Sequence, residues 1–404
     1  MFTKVIKSSK DLYFLDILFY LIPLSILLGT FFLNLFTAIV SILFIFLLIT
    51  KKITVNIKHI NIIYVVFFSF IFINNLNSIN IEVSIKSSLG LIKSFFVILA
   101  LYYCLTKSEK FKKFFFLIIF SVYLFVLFDT YIQNFFEKDI FRFEVGYSNG
   151  RRLSGPFGDE FVVGSYLSKL FFLISLFLII FKQGRHFYLL MLISFPLVIL
   201  SNERSASIMF LSGILIYFIF CNINLKKKFF TLIAIIFFLI SIFYSNENLR
   251  NHFISVPIKY FKDNHHKAHF LAAIEIFKDH PFSGTGIRTF RIECQKEKYK
   301  LIDTKYFDKR CTTHPHNIYL EILSETGLIG FVIIFLVNLY VLASLIKLFF
   351  KEKDQNLKWQ WLLVFCNFFI LFWPLQTTGA FFSSFNSIFY IFFYGVFFGL
   401  KKNC

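Results

Sequence analysis

Charge is scarce in this chain. Only 16% of its 404 residues are Asp, Glu, Lys or Arg, and it has 7 prolines, 16 glycines and 3 methionines. So little polar and turn-forming material excludes disordered, collagen-like and low-complexity classes. Cysteine is sparse as well: six residues with no paired C-x-x-C, which argues against a zinc framework. Apolar residues fill the space, at 57% of the chain, with 64 phenylalanines and a mean hydropathy of +0.72. Soluble domains run at about 45–50% apolar, so this composition implies an all-α polytopic membrane protein. The net charge of +19 resembles a nucleic-acid signal. In a membrane protein, however, lysine and arginine collect in cytoplasmic loops as orientation signals, so no nucleic-acid partner is expected.

Apolar runs long enough to cross about 30 Å of hydrocarbon recur at 12–28, 33–50, 60–77, 88–105, 114–133, 161–181, 187–201, 205–221, 229–245, 326–346, 359–377 and 381–400. They predict about 12 transmembrane helices, with the short run at 187–201 among the weaker ones. Alternate short loops carry Lys51 and Lys52, Lys107 to Lys113, Lys182 and Arg185, Lys226 to Lys228, Lys351 to Lys358, and Lys401 and Lys402; the tail adds Lys4, Lys7 and Lys10. The positive-inside rule places this set, and both termini, in the cytoplasm. The tail has no small-residue cleavage pattern, so no cleaved signal peptide is expected. Lys93, Asp129 and Lys169 fall within apolar runs, near span ends or within snorkelling reach.

Two polar segments interrupt the pattern, about 134–160 and 246–325, and span counting puts both on the outer face. The chain thus divides into 1–245 (nine spans), a large outer loop at 246–325 expected to carry short helices, and 326–404 (three spans). Within 246–316 there are 13 basic and eight acidic residues. Cys294 and Cys311 lie there too. An oxidising compartment favours a disulfide enclosing the 16 residues between them, with two free thiols as the alternative.

Seven of the nine histidines (His252, His265, His266, His269, His280, His314 and His316) crowd into this loop. With no H-E-x-x-H and no carboxylates at helical spacing, proton transfer fits the residue type better than metal binding. In His314-Pro315-His316-Asn317, the proline favours a helix starting just after it. His316 is then expected in the first helical turn, where the positive helix end keeps its ring neutral. Capping is the alternative reading of the His-Asn pair.

Arginines supply the second signal. Arg204, in Leu200-Ser201-Asn202-Glu203-Arg204, lies between two spans, where an ionisable residue is costly; a plain pairing with Glu203 is the structural alternative. Arg151 and Arg152 precede Ser154-Gly155-Pro156, and Arg288 and Arg291 follow Gly284-Thr285-Gly286. Guanidinium forks suit phosphate oxygens. Asp159 and Glu160 either bind substrate hydroxyls or satisfy Arg151 and Arg152.

Taken together, these residues resemble the bacterial O-antigen ligase and O-antigen polymerase superfamily. HPHNIYLEILSETGLIGF (314–331) is similar to its His-Asn signature. RLSGPFGDEFVVGSYL (152–167), LSNERSA (200–206) and AHFLAAIEIFKDHPFSGTGIRTFRIEC (268–294) are similar to its other segments. The resemblance implies a GT-C-type fold in the inner membrane and inverting, metal-independent glycosyl transfer on the periplasmic face without a cofactor. The donor would be a glycan on undecaprenyl pyrophosphate, and the acceptor lipid A-core or another glycan. It implies that His316 is the base and Arg204 holds the pyrophosphate, with Arg291, Arg288, Lys267 and Arg152 as further candidates and His314, Asn317, Glu203, His269 and Asp159 in support. The family's second arginine is missing: its neighbourhood reads Asn264-His265-His266-Lys267-Ala268-His269.

Ligation is the leading expectation and polymerisation the alternative. Protein O-oligosaccharyl transfer and lipid-linked oligosaccharide flipping rank below both. A flippase should line the middle of its spans with polar residues and show an internal repeat, whereas here polar residues gather in the outer loops.

Overall fold

The computed structural model describes residues 10–55, 60–147, 150–184, 186–255, 264–301, 304–377 and 379–402. Lys4, Lys7, Arg185 and Cys404 lie outside them. Among the described residues there are helices and isolated bridges but no strand. The long helices are α1 (Lys10–Leu28), α2 (Thr30–Ile49), α3 (Ile60–Leu76), α4 (Ile81–Lys107), α5 (Glu109–Phe136), α6 (Val163–Ile180), α7 (His186–Leu200), α8 (Arg204–Phe220) and α9 (Leu225–Ser245). After them come α10 (His265–Asp279), α11 (Ile318–Lys351), α12 (Gln355–Phe372) and α13 (Ser384–Lys401). Seven of these, α1, α2, α4, α5, α6, α9 and α11, are long and apolar enough to cross a bilayer, while α7 and α8 are shorter apolar helices.

α6 is the centre of the bundle. It packs against α5, α7, α8 and α12, and 15 of its 18 residues are buried. The core around it is largely aromatic: Phe171 meets Phe210 edge-to-face at 4.9 Å between ring centroids. α9 is the opposite case. Phe229, Phe230, Phe237 and Ile240 are exposed along it, as expected of a helix whose partner is lipid.

The lysines inside apolar runs are satisfied within the protein rather than by snorkelling. Lys169 is buried, donates to Asn386 Oδ1 at 2.8 Å and lies over the Phe389 ring. Lys93 donates to Asn34 Oδ1 at 2.6 Å, and that oxygen also accepts from Ser384, so α4, α2 and α13 are tied at one point. Asp129 is buried and accepts from the Ile140 backbone N–H through Oδ1, while its Oδ2 has no hydrogen-bond partner among the described residues. An unpaired polar group in hydrocarbon costs several kcal/mol, and the lysine contacts remove most of that cost.

The long loop before α11 has a small core of its own. Ala272, Ala273 and Ile276 of α10 pack with Phe290, Cys294 and Tyr299. Cys294 and Cys311 form a disulfide with Cα atoms 5.4 Å apart. Beside it the buried Arg310 donates to the carbonyls of Cys294, Phe307 and Gln295.

The loop then docks on α11, at the place where that helix bends. Gly327 has φ +63°, a non-helical value that interrupts the helix. A bend leaves backbone groups without helical partners, and the loop supplies them. Thr285 N–H donates to Ser324 O (3.1 Å) and Gly286 N–H to Glu325 O (2.9 Å), while Leu328 N–H reaches Pro281 O (2.7 Å). Gly284, also at positive φ, and Gly327 approach backbone so closely that a Cβ on either would overlap it. Gly284-Thr285-Gly286 is therefore a docking device.

Candidate active site

Four imidazoles converge beside the start of α11. His266 and His269 are three residues apart on α10, so they share a face. Their ring centroids lie 5.3 and 5.2 Å from that of His316, and His314 is 4.2 Å from His316. Two other loop histidines point elsewhere: His265 rests on the Tyr306 ring, and His280 faces the buried Glu293.

His316 stands outside the helix rather than in its first turn. Asn317 is the N-cap, accepting from the backbone N–H groups of Tyr319 and Leu320, and its side-chain amide donates to Pro374 O at 2.7 Å. The capping role in the His-Asn pair thus falls to the asparagine alone. His316 itself adopts φ +58°, a left-handed conformation uncommon for a residue with a Cβ. Such strain persists only where neighbours hold it; here Pro315 precedes it and the tethered Asn317 cap follows.

Arg152 and Arg204, 52 positions apart in the sequence, are assembled by side chains between them. Asn202 donates to the Arg151 carbonyl at 3.1 Å, which joins the Arg151–Arg152 segment to the α7–α8 turn. Arg152 closes a bridge with Gly146 and stacks on Phe161, 4.8 Å from the ring centroid. Its Nε is buried with no hydrogen-bond partner among the described residues. Glu203 does not pair with Arg204. It accepts from the Gly164 and Ser165 N–H groups at 2.6 and 3.2 Å, satisfying orphan donors at the start of α6. Arg151 pairs with Glu137 and Asn134 rather than Asp159 or Glu160. Asp159 is exposed and forms no hydrogen bond or ion pair among the described residues.

The electrostatics join arginines to histidines. Burial, then the charges of Arg204 and Arg152, hold His252 down to about 4. Burial, followed by His316, His269 and Arg204, lowers His266 to about 4. His269 is also pushed down to about 4 by burial and His316, against a hydrogen bond to the Lys309 carbonyl that favours its charged form. The Nδ1 atoms of His266 and His269 are buried without hydrogen-bond partners among the described residues. Glu203 acts on Arg152, but among the described residues no carboxylate acts on Arg204, His252 or His266, so this side of the site is a positive surface lined by neutral imidazoles, suited to an anion and a proton acceptor.

Arg288 and Arg291 have other neighbours. The buried Glu325 accepts from the backbone N–H of Arg288 (2.5 Å) and of Phe290 (3.1 Å). Glu321 accepts from Phe381 N–H at 2.7 Å, and the charges of both glutamates act on Arg291. The two glutamates of the 314–331 stretch therefore cap backbone and balance these arginines. Lys267 lies at the start of α10, where its N–H donates to the Asn264 side chain. His252 and His266 are the site residues that sequence reading left out. The density of loop histidines was the available signal, but it does not say which of them turn inward.

Comparison with known families agrees with the resemblance. Residues 189–335, from α7 into α11, match the family model described as O-antigen ligase, an interval that includes Arg204, His252, His266, His269 and His316. No curated protein matches the chain significantly.

Proposed function

We propose, with the O-antigen ligase likeness of residues 189–335 as premise, that the chain is an inverting glycosyltransferase of the bacterial inner membrane. Its donor is a glycan on undecaprenyl pyrophosphate and its acceptor a sugar hydroxyl of lipid A-core, at the periplasmic face. The observation that carries the reading is the convergence of His316 with His266 and His269, on the first of which the charge of Arg204 also acts.

In the reaction, His316 takes the proton of the acceptor hydroxyl as that oxygen attacks the anomeric carbon. The bond from that carbon to the pyrophosphate oxygen breaks on the opposite face, which inverts the configuration. Arg204 and Arg152 receive the leaving pyrophosphate, whose charge is already spread over two phosphoryl groups, so neither a metal nor a general acid is required for its departure. Positioning and charge stabilisation supply the rate enhancement. Arg288 and Arg291 are balanced by carboxylates and are weaker phosphate ligands in this scheme.

The test is lipopolysaccharide analysis of a deletion strain complemented with variants. His316→Ala should lower attached glycan by about 10²–10⁴-fold while the protein remains in the membrane. Loss of all attached polymer supports ligation. Core bearing a single repeat identifies the polymerase instead, and unchanged glycan refutes the enzyme reading.

A further inference from the structure

His266 lies beside the proposed base, within reach of the charge of the proposed pyrophosphate arginine. Its ring centroid is 5.3 Å from that of His316, and the charge of Arg204 acts on it from the start of α8. Its Nδ1 is buried with no hydrogen-bond partner among the described residues. A buried nitrogen left unsatisfied at such a position costs stability until something fills its hydrogen-bonding capacity; in the Nε2–H tautomer Nδ1 is a bare acceptor, and protonation turns it into the donor that a phosphate oxygen accepts from.

We infer that His266 is a diphosphate ligand that becomes cationic only when the donor enters, so that each binding event takes up one proton. The inference rests on the proposed pyrophosphate donor. Every charged or titratable group acting on His266 opposes its charge in the free protein: His265 and His269 on its own helix, His316 from the segment before α11, and Arg204 from α8. No carboxylate is among them, and with burial they hold the ring near 4. A diphosphate diester reverses the balance. One negative charge at about 4 Å, in an effective dielectric of about 20, raises an imidazole pKa by about 3, which brings the bound His266 to near neutrality.

The proton comes from solvent on binding and returns to it on release. It is separate from the proton that His316 takes from the acceptor. Compared with a permanent cation, a loadable one adds no repulsion to Arg204 in the empty site and supplies charge once the substrate has arrived. The sign follows from linkage: the complex binds more protons than the free protein, so affinity rises as pH falls toward the free value.

Isothermal calorimetry on the detergent-solubilised full chain tests this, with a synthetic polyprenyl diphospho-sugar as probe. Its diester stays doubly ionised across neutral pH, so it contributes no proton of its own. Near pH 6.5, enthalpies in Tris and in PIPES should differ by the equivalent of about half a proton or more per ligand. Kd should fall about tenfold or more between about pH 8 and pH 6. His266→Gln should remove both effects and weaken binding. His266→Arg should bind tightly without proton uptake.

Buffer-independent enthalpy in the wild-type protein overturns the inference. Uptake that survives in His266→Gln does so as well, since the proton then belongs to a neighbour such as His269. Absence of any binding refutes the pyrophosphate reading itself, and this inference with it.

Discussion

Two arginine pairs in this molecule have opposite surroundings. Around Arg288 and Arg291 the buried carboxylates of Glu321 and Glu325 balance the charge and cap backbone N–H groups. Around Arg152 and Arg204 one acid, Glu203, acts on Arg152 while giving its hydrogen bonds to the start of α6; among the described residues no carboxylate acts on Arg204, whose charge bears on imidazoles held neutral. The first arrangement is internally complete. In the second, positive charge remains exposed to whatever enters, which is the condition for an anion site. Counting arginines in the sequence cannot separate these cases; what separates them is how many of the described carboxylates act on each pair, two on Arg291, one on Arg152 and none on Arg204.

The sharpest break in the comparison comes from truncating one arginine of each pair. Arg204→Ala should lower transfer by about 10²–10³-fold, the usual cost of removing one preorganised charge donor, with little change in thermal stability. Arg288→Ala should cost less than about tenfold, as measured by glycan attachment at matched membrane protein levels. A reversed order would exchange the roles of the two pairs.

Removing the acid should produce the converse pattern. Glu325→Ala leaves two backbone donors without their acceptor and should destabilise the protein by about 2–5 kcal/mol, visible as a lower melting temperature in detergent. If Glu325→Ala kept full stability and lost only activity, the carboxylate would belong to the chemistry instead.

The smallest effect is on acid stability. His252, His266 and His269 are held near 4, below the ordinary imidazole value. The unfolded chain therefore binds more protons between about pH 6.5 and pH 4. The stability these rings contribute is fully present above that window and is lost as pH falls through it. The melting temperature of the ligand-free protein should drop across this range, and less so in His266→Gln.

The sequence made the membrane class legible because hydrophobic runs of bilayer length need no tertiary information. His316 and Arg204 stood out for a similar reason: one follows a proline at a helix start, the other interrupts apolar spans. The join between Arg152 and Arg204 was hidden, since it depends on Asn202 reaching the Arg151 carbonyl 51 positions away. The helix start was misjudged by two residues because Asn317 takes the cap and leaves His316 in a left-handed turn. A pairing of Glu203 with Arg204, the alternative that their adjacency offers, is not made, because the bare N–H groups of Gly164 and Ser165 take the same oxygens.

The bend at Gly327 also sets an order of events during synthesis. The seat for the histidine-bearing loop is built from residues 324–329, which follow that loop in the chain. The loop therefore emerges before the surface it rests on exists, and the Cys294–Cys311 bond can close before α11 is in place. The last step that aligns the imidazoles is then insertion of a later helix. A nascent chain ending before about residue 330 would carry every histidine of the site and still lack the geometry that makes them act together.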